Sequence, residues 1–341
     1  MASGGQGEVK RTKSQRWLWS GTALAAGVGV LVVTGYVVTL PAVPSPASRT
    51  LGAAPPGAES VSFRSQDGID LKGWWISAGA SARASVILAH GRDANRSFMV
   101  SRARFLVGHG YNAFPIDLRG HGESGGRYMT PGYLEALDIL GAVDAARRRG
   151  APGPFVVLGH SSGAVAALQA AARSPEIAAV IADGAFISAD SVLQRVTAIV
   201  GRDARAPAAQ RVALRVLNWL LHSGPGRGFA RWAFYLRTGV HMDLRDADAL
   251  PAIAALGTRP VLFIAGAQDA LATPGDARRM YAAAASPAKD LLIVPGAGHN
   301  TTYGVAPQLY ETRVLRFLGT TARHGRETSD GRALPVILEP L

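Results

Sequence analysis

The sequence predicts an α/β protein in which a mostly parallel sheet is covered by helices on both faces. Short apolar runs recur at residues 85–89, 112–116, 155–158, 178–182, 261–265 and 291–294, each bounded by Gly, Pro or Asp. Between them lie helical stretches at 101–108, 133–148, 164–173, 275–285 and 306–318. Strands that are apolar throughout need cover on both sides, and alternation with helices is how parallel strands obtain it. The third observation is the run 155–168, which reads as a buried strand, then Gly159-His160-Ser161-Ser162-Gly163, then an Ala-rich helix.

Residues 1–16 are polar and basic, with Lys10, Arg11, Lys13 and Arg16 against a single Glu8. Residues 17–40 then run without a charged side chain. As a helix this stretch measures about 36 Å, enough for a ~30 Å hydrocarbon core with some tilt. Trp17 and Trp19 near one end and Tyr36 near the other suit the two interfaces, and Pro41, Pro44 and Pro46 stop the helix. With basic residues before the span, the expectation is a single-pass anchor with a cytoplasmic amino terminus and the remaining chain on the extracytoplasmic side. A cleaved secretory signal, cut near Ala42 or Ala47, is the alternative, but its apolar core is normally only ~7–15 residues.

Residues 41–58, rich in Pro, Ala and Gly, read as a linker holding the domain off the bilayer. The main domain is expected over 59–319. It begins with an antiparallel hairpin, 61–64 and 71–76, turning at Asp67-Gly68. Far more chain separates the strands at 178–182 and 261–265 than one crossover helix needs. This insertion, about 186–250, is helix-rich and carries Trp219, Leu220, Leu221, Phe229, Trp232, Phe234, Tyr235 and Leu236. It reads as a cap over the sheet's carboxyl edge, or as a small core of its own. Residues 320–341 are polar and aperiodic and are expected to be disordered.

The formal charge of +12 raises the question of nucleic acid. Part of it flanks the apolar span, where anionic headgroups attract it, and the rest is scattered Arg without interleaved aromatics. Nucleic acid is not an expected partner. The chain contains no Cys, which excludes disulfides and thiolate metal sites.

A strand–Gly-x-Ser-x-Gly–helix turn lifts a serine hydroxyl to the carboxyl edge of a parallel sheet, where it can act as a nucleophile. The pattern occurs twice. Ser124, in Gly122-Glu123-Ser124-Gly125-Gly126, has neither strand before it nor helix after, and reads as a loop serine. Ser161 has both. A nucleophilic serine needs a base and an acid that orients the base. Of the histidines at 90, 109, 121, 160, 222, 241, 299 and 324, His299 follows an expected strand through a Gly-rich loop and so sits at the same edge as Ser161. His160 lies within the turn, its side chain expected to point away from Ser161. His222 and His241 fall in the insertion and His324 in the tail. Asp269, leaving the strand 261–265, suits the acid because the order Ser, Asp, His is the one this motif brings. Asp183, at another strand end, is the rival. Asp290 precedes its strand, and Asp276 begins a helix. The backbone N–H groups of Ser162 and of Arg92, in His90-Gly91-Arg92-Asp93, are the expected oxyanion donors.

These residues together resemble an α/β-hydrolase-fold serine hydrolase over residues 61–318. The landmarks are His90-Gly91, Asp117-Leu118-Arg119-Gly120-His121-Gly122-Glu123-Ser124, the Ser161 turn, Gly266-Ala267-Gln268-Asp269 and Gly298-His299, in that order. The resemblance is to membrane-anchored esterase, lysophospholipase and serine-aminopeptidase-like members. Ala270 stands where that family often has a second acid, which leaves Asp269 alone in its turn. Dehalogenases and epoxide hydrolases of the same fold use aspartate at the elbow, so Ser161 excludes them. The resemblance implies cleavage of an ester, lipid-like ester, thioester or amide through an acyl-serine, without metal or organic cofactor. A serine peptidase, or a non-catalytic membrane-tethered binding protein, are the alternatives.

Overall fold

In a computed structural model, the described residues are 42–202, 207–208, 211–212 and 223–329. The basic segment 1–16, the apolar span 17–40 and Trp219, Leu220, Leu221 and His222 lie outside them. Among the described residues, no helix is long and apolar enough to cross a membrane.

The strands are β1 (Glu59–Arg64), β2 (Asp70–Trp75), β3 (Ser85–Ala89), β4 (Asn112–Asp117), β5 (Phe155–His160), β6 (Ile177–Asp183), β7 (Val261–Gly266) and β8 (Lys289–Val294). They form an eight-stranded sheet in the order β1-β2-β4-β3-β5-β6-β7-β8. The β1–β2 hairpin and the β2–β4 pair are antiparallel, and every later pairing is parallel. The helices are α1 (Val100–Gly108), α2 (Glu135–Arg148), α3 (Ser162–Arg173), α4 (Ala189–Arg202), α5 (Gly224–Thr238), α6 (Ala249–Leu256), α7 (Pro274–Ala283), α8 (Thr302–Val305) and α9 (Pro307–Ser329).

Side chains alternate across the sheet, so each central strand feeds two cores. Ile87, Phe114, Val157, Val180 and Phe263 pack with Ile139, Ala167, Ile253 and Met280 of α2, α3, α6 and α7. Val86, Leu88, Leu158, Ile181 and Ile264 pack on the other face with Leu106 of α1 and Tyr310 and Val314 of α9. Each fully buried aliphatic side chain contributes about 1.5–3 kcal/mol relative to exposure, which accounts for the apolar runs.

The strands expected at 155–158 and 178–182 run on to His160 and Asp183, which pair with each other in register. Backbone pairing continues through polar residues there because their side chains find buried partners. Between β6 and β7, α4 and α6 belong to the compact unit of residues 42–218 and 243–341, whereas residues 219–242, with α5, belong to a second unit.

Two segments depart from expectation. Residues 41–58 read as a spacer, yet their described part lies against the domain, with Ala42 and Ser48 buried. Arg49 donates to the carbonyls of Gly122, Ser124 and Gly126 at 3.2, 2.7 and 3.2 Å. Asn95 donates to the carbonyls of Ser48 and Thr50 at 3.2 and 2.8 Å. Pro-rich chain offers unpaired carbonyls and N–H groups, and here side chains of the domain satisfy them. The expected disordered tail begins instead as helix, because α9 continues to Ser329 with Thr321 buried on the domain. Residues 330–341 lie outside the described residues.

Candidate active site

Ser161 occupies the turn between β5 and α3 with φ 54° and ψ −121°. A positive φ at a non-glycine residue costs of order 1–3 kcal/mol and persists only where the surroundings enforce it. Its N–H donates to the Asp183 carbonyl at 2.8 Å, and its carbonyl accepts from Ala164 and Val165 at 2.9 and 3.2 Å. Gly163 is dictated by packing: a Cβ there would lie 2.3 Å from the His90 carbonyl oxygen.

His299 stands in the loop after β8, and its Nε2 is 2.8 Å from Ser161 Oγ. Its Nδ1 is 2.7 Å from Asp269 Oδ2. The other Asp269 oxygen accepts from the N–H groups of Leu271 and Ala272, each at 2.8 Å. Those two amides fix the carboxylate's orientation and leave Oδ2 directed at the imidazole. The loops after β7 and β8 are tied by Ala267 N–H to Val294 O and Gln268 N–H to Ala297 O, both 2.9 Å. Three residues far apart in sequence thus meet at one edge, because parallel strands deliver their carboxyl ends together. With Nδ1 protonated toward Asp269, Nε2 is free to accept a proton from Ser161 Oγ.

Asp183, the rival acid, serves elsewhere. It is fully buried and accepts from Arg102 at 2.8 Å, from Thr302 Oγ1 at 2.9 and 3.0 Å and from Tyr310 OH at 3.2 Å. Burial alone would raise its pKa, but the Arg102 guanidinium, assisted by His160, outweighs this and holds the carboxyl well below the usual range. Thr302 and Tyr310 follow His299 in sequence, so this buried cluster anchors the segment carrying the imidazole. His160 lies beside it, Nε2 3.1 Å from Asn300 Oδ1, its ring packed on Phe98 and His299 with centroids at 4.9 and 5.4 Å. Among the described residues its buried Nδ1 has no hydrogen-bond partner, and it is 3.7 Å from Asp183. Sequence reasoning missed Arg102, Asn300, Thr302 and Tyr310. The proximity of the last three to His299 was the available signal, whereas nothing local marks Arg102.

The loop after β3 lies against the serine: a Cβ on Gly91 would sit 2.9 Å from Ser161 Cβ. This brings the backbone at Gly91 beside the turn, while Ser162 begins α3. The Arg92 side chain is exposed and donates to Asp93 at 3.1 Å and to the Val43 carbonyl at 3.4 Å. Asp93 in turn accepts the Ser45 N–H at 2.7 Å, so the amino-terminal strap touches this loop. His90, buried beneath, accepts from the Leu118 N–H at 3.1 Å and donates to the Gly91 carbonyl at 2.7 Å. Burial, and next the neighbouring His121, push its pKa down to about 3, so it is a neutral brace.

The remaining candidates have structural duties. Ser124 Oγ donates to the Asp117 carbonyl at 2.7 Å and accepts the Lys72 N–H at 2.9 Å, stitching a loop to β2. Asp276 pairs with Arg195, and Asp290 pairs with Arg313 at 2.8 Å. His109 bonds the Phe105 carbonyl, and His241 stacks on Tyr235. Among the described residues, no group of His, Cys, Asp or Glu is arranged to hold a metal ion.

Residues 86–313 match the profile of the Alpha/beta hydrolase family. The uncharacterized protein YfhR of Salmonella typhimurium is 27% identical over 311 residues, covering 85% of this chain and 92% of that protein. The Alpha/beta hydrolase domain-containing protein WAV2 of Arabidopsis thaliana is 26% identical over 326 residues, covering 92% of this chain and 96% of the plant protein. Among solved structures, the Pyrococcus furiosus esterase Pf2001 superposes with a TM-score of 0.63 at 25% identity, covering 82% of this chain and 98% of the esterase.

Proposed function

This chain belongs to the α/β-hydrolase family, and on that premise we propose that it is a serine hydrolase cleaving a carboxylic ester through an acyl-Ser161 intermediate. The observation that carries the reading is the continuous relay from Ser161 Oγ to His299 Nε2 at 2.8 Å and from His299 Nδ1 to Asp269 Oδ2 at 2.7 Å. Ser161 Oγ attacks the acyl carbonyl while His299 Nε2 takes its proton. The oxyanion accepts from the Ser162 and Arg92 N–H groups. As the tetrahedral intermediate collapses, His299 returns the proton to the leaving oxygen. Water, deprotonated by the same nitrogen, then releases the acid and restores the serine. Asp269 holds the tautomer and stabilises the imidazolium throughout. The chemistry draws on no metal or organic cofactor.

A lipid-like ester suits an enzyme tethered by residues 17–40 with its catalytic domain on the extracytoplasmic side, and the esterase neighbour supports ester over amide or thioester. The test is fluorophosphonate labelling. The full chain should be modified at Ser161, and Ser161→Ala and His299→Ala should not react. Equal labelling of Ser161→Ala would overturn the proposal, and absence of labelling in a folded wild type would favour a non-catalytic binding protein. A series of p-nitrophenyl esters of increasing chain length then reads acyl preference. Carbonate extraction checks the tether, since the full chain should stay with the membrane.

A further inference from the structure

The loop after β3 is held from outside by residues that precede the sheet altogether. Gly91 lies against Ser161, Arg92 follows as the donor proposed for the oxyanion, and Asp93 comes next with φ 58°. Asp tolerates a positive φ better than most residues with a side chain, yet the conformation persists only where the surroundings enforce it. The strap supplies that enforcement. Asp93 Oδ1 accepts the Ser45 N–H at 2.7 Å, and Arg92 Nη2 donates to the Val43 carbonyl at 3.4 Å. Further along the loop, Asn95 donates to the carbonyls of Ser48 and Thr50, and Ser97 Oγ accepts the Gly52 N–H at 2.8 Å. The strap also grips the loop after β4, the neighbouring strand of β3. There the Gly122 N–H donates to the Ser48 carbonyl at 3.0 Å, and a Cβ on Gly120 would lie 3.0 Å from Pro44 Cγ. The two loops meet where the Asp93 N–H donates to His121 Nε2 at 3.3 Å.

We propose that the strap is a positioning element of the active site, in which the Ser45 N–H, acting through Asp93, fixes the backbone that presents the oxyanion donor. This rests on the reading of Ser161 as the nucleophile. Ser45 touches no reacting atom. Its bond is short and lands on the residue with the enforced φ, directly after the proposed donor. An oxyanion donor works by being held in place before charge develops, so loosening its loop should slow bond making and leave substrate binding alone.

Ser45 has φ −67° and ψ 150°, which proline also adopts, so Ser45→Pro deletes the N–H while keeping the path of the strap. Asp93→Ala removes the acceptor, whereas Asp93→Asn keeps one and still tolerates the positive φ. The full chain and these variants are compared by fluorophosphonate labelling rate, by kcat and KM on p-nitrophenyl butyrate, and by thermal melts. Ser45→Pro and Asp93→Ala should lower the labelling rate and kcat about tenfold, less than the loss of a whole donor, with KM and melting temperature unchanged. Asp93→Asn should recover most of the rate. A reactive wild type matched by Ser45→Pro and Asp93→Ala would overturn this proposal alone, whereas an unreactive wild type would overturn the Ser161 reading and this one with it. Rates that fall in step with melting temperature, with Asp93→Asn no better than Asp93→Ala, would reduce the strap to structural support and also overturn the proposal.

Discussion

Replacing each of the two candidate acids by its amide separates their duties. At position 269, the Leu271 and Ala272 N–H groups, each 2.8 Å from one carboxylate oxygen, require an acceptor there. In Asp269→Asn the new side-chain carbonyl would take those bonds and turn its NH2 toward His299 Nδ1. The imidazole must then accept at Nδ1 and carry its proton on Nε2, the nitrogen facing Ser161. A base that is already protonated cannot deprotonate the serine, and the expected loss in kcat is about 10⁴-fold, or about 5.5 kcal/mol of barrier. Stability should barely change, because the two backbone bonds survive. Asp183→Asn should do the reverse. It leaves the buried Arg102 guanidinium without its counter-charge, which costs about 3–5 kcal/mol, or on the order of 10 °C in melting temperature. Ester hydrolysis and fluorophosphonate labelling rates, with thermal melts on the same samples, read both quantities. Asp269→Asn within tenfold of wild-type activity would refute the reasoning, as would Asp183→Asn inactivating the enzyme without destabilising it.

Other consequences follow from packing and burial. Gly163→Ala would drive a methyl to 2.3 Å from the His90 carbonyl, so the elbow must shift, and both melting temperature and labelling rate should fall. Leu158→Ala, at a fully buried position of the central strand, should cost about 2–5 kcal/mol in denaturant titration. Glu135 is buried, and burial, despite hydrogen bonds from Thr130, raises its pKa from 4.5 to about 7. The folded state therefore binds its proton more tightly than the unfolded chain does. The associated stability is full below pH 4.5 and is lost as pH rises to about 7. Glu135→Gln should flatten the melting temperature across that window, and an unchanged pH profile would count against the assignment. Arg49→Ala removes three bonds that hold the strap to the loop after β4, and should expose residues 42–50 to limited proteolysis.

Much of the architecture was legible because a parallel sheet writes its strands as apolar runs, and six of these fell where strands form. The position of Ser161 was legible for a similar reason: strand, turn and helix are all local patterns. His299 and Asp269 could be nominated from their places after strands, but the choice between Asp269 and Asp183 could not be closed. Both follow strands and both lie at the same edge. What separates them is which loop leans toward the imidazole and which partner waits nearby, and Arg102, on a helix remote in sequence, is what claims Asp183. The strap escapes a reading by composition because Pro and Ala content describes stiffness but not the domain carbonyls and amides it meets. The tail escapes it because helix propensity and one buried threonine extend α9 beyond the last apolar period.

The amino-acid sequence by itself determined the layered α/β architecture, the elbow that exposes Ser161, and the short list of groups able to assist it. Those are properties of hydrophobic period and backbone chemistry, which act over a few residues. Tertiary structure alone decided which carboxylate faces His299, which is neutralised by Arg102, and where the strap rests. Such pairings depend on how separate strand ends converge in space, and no stretch of local sequence encodes that distance.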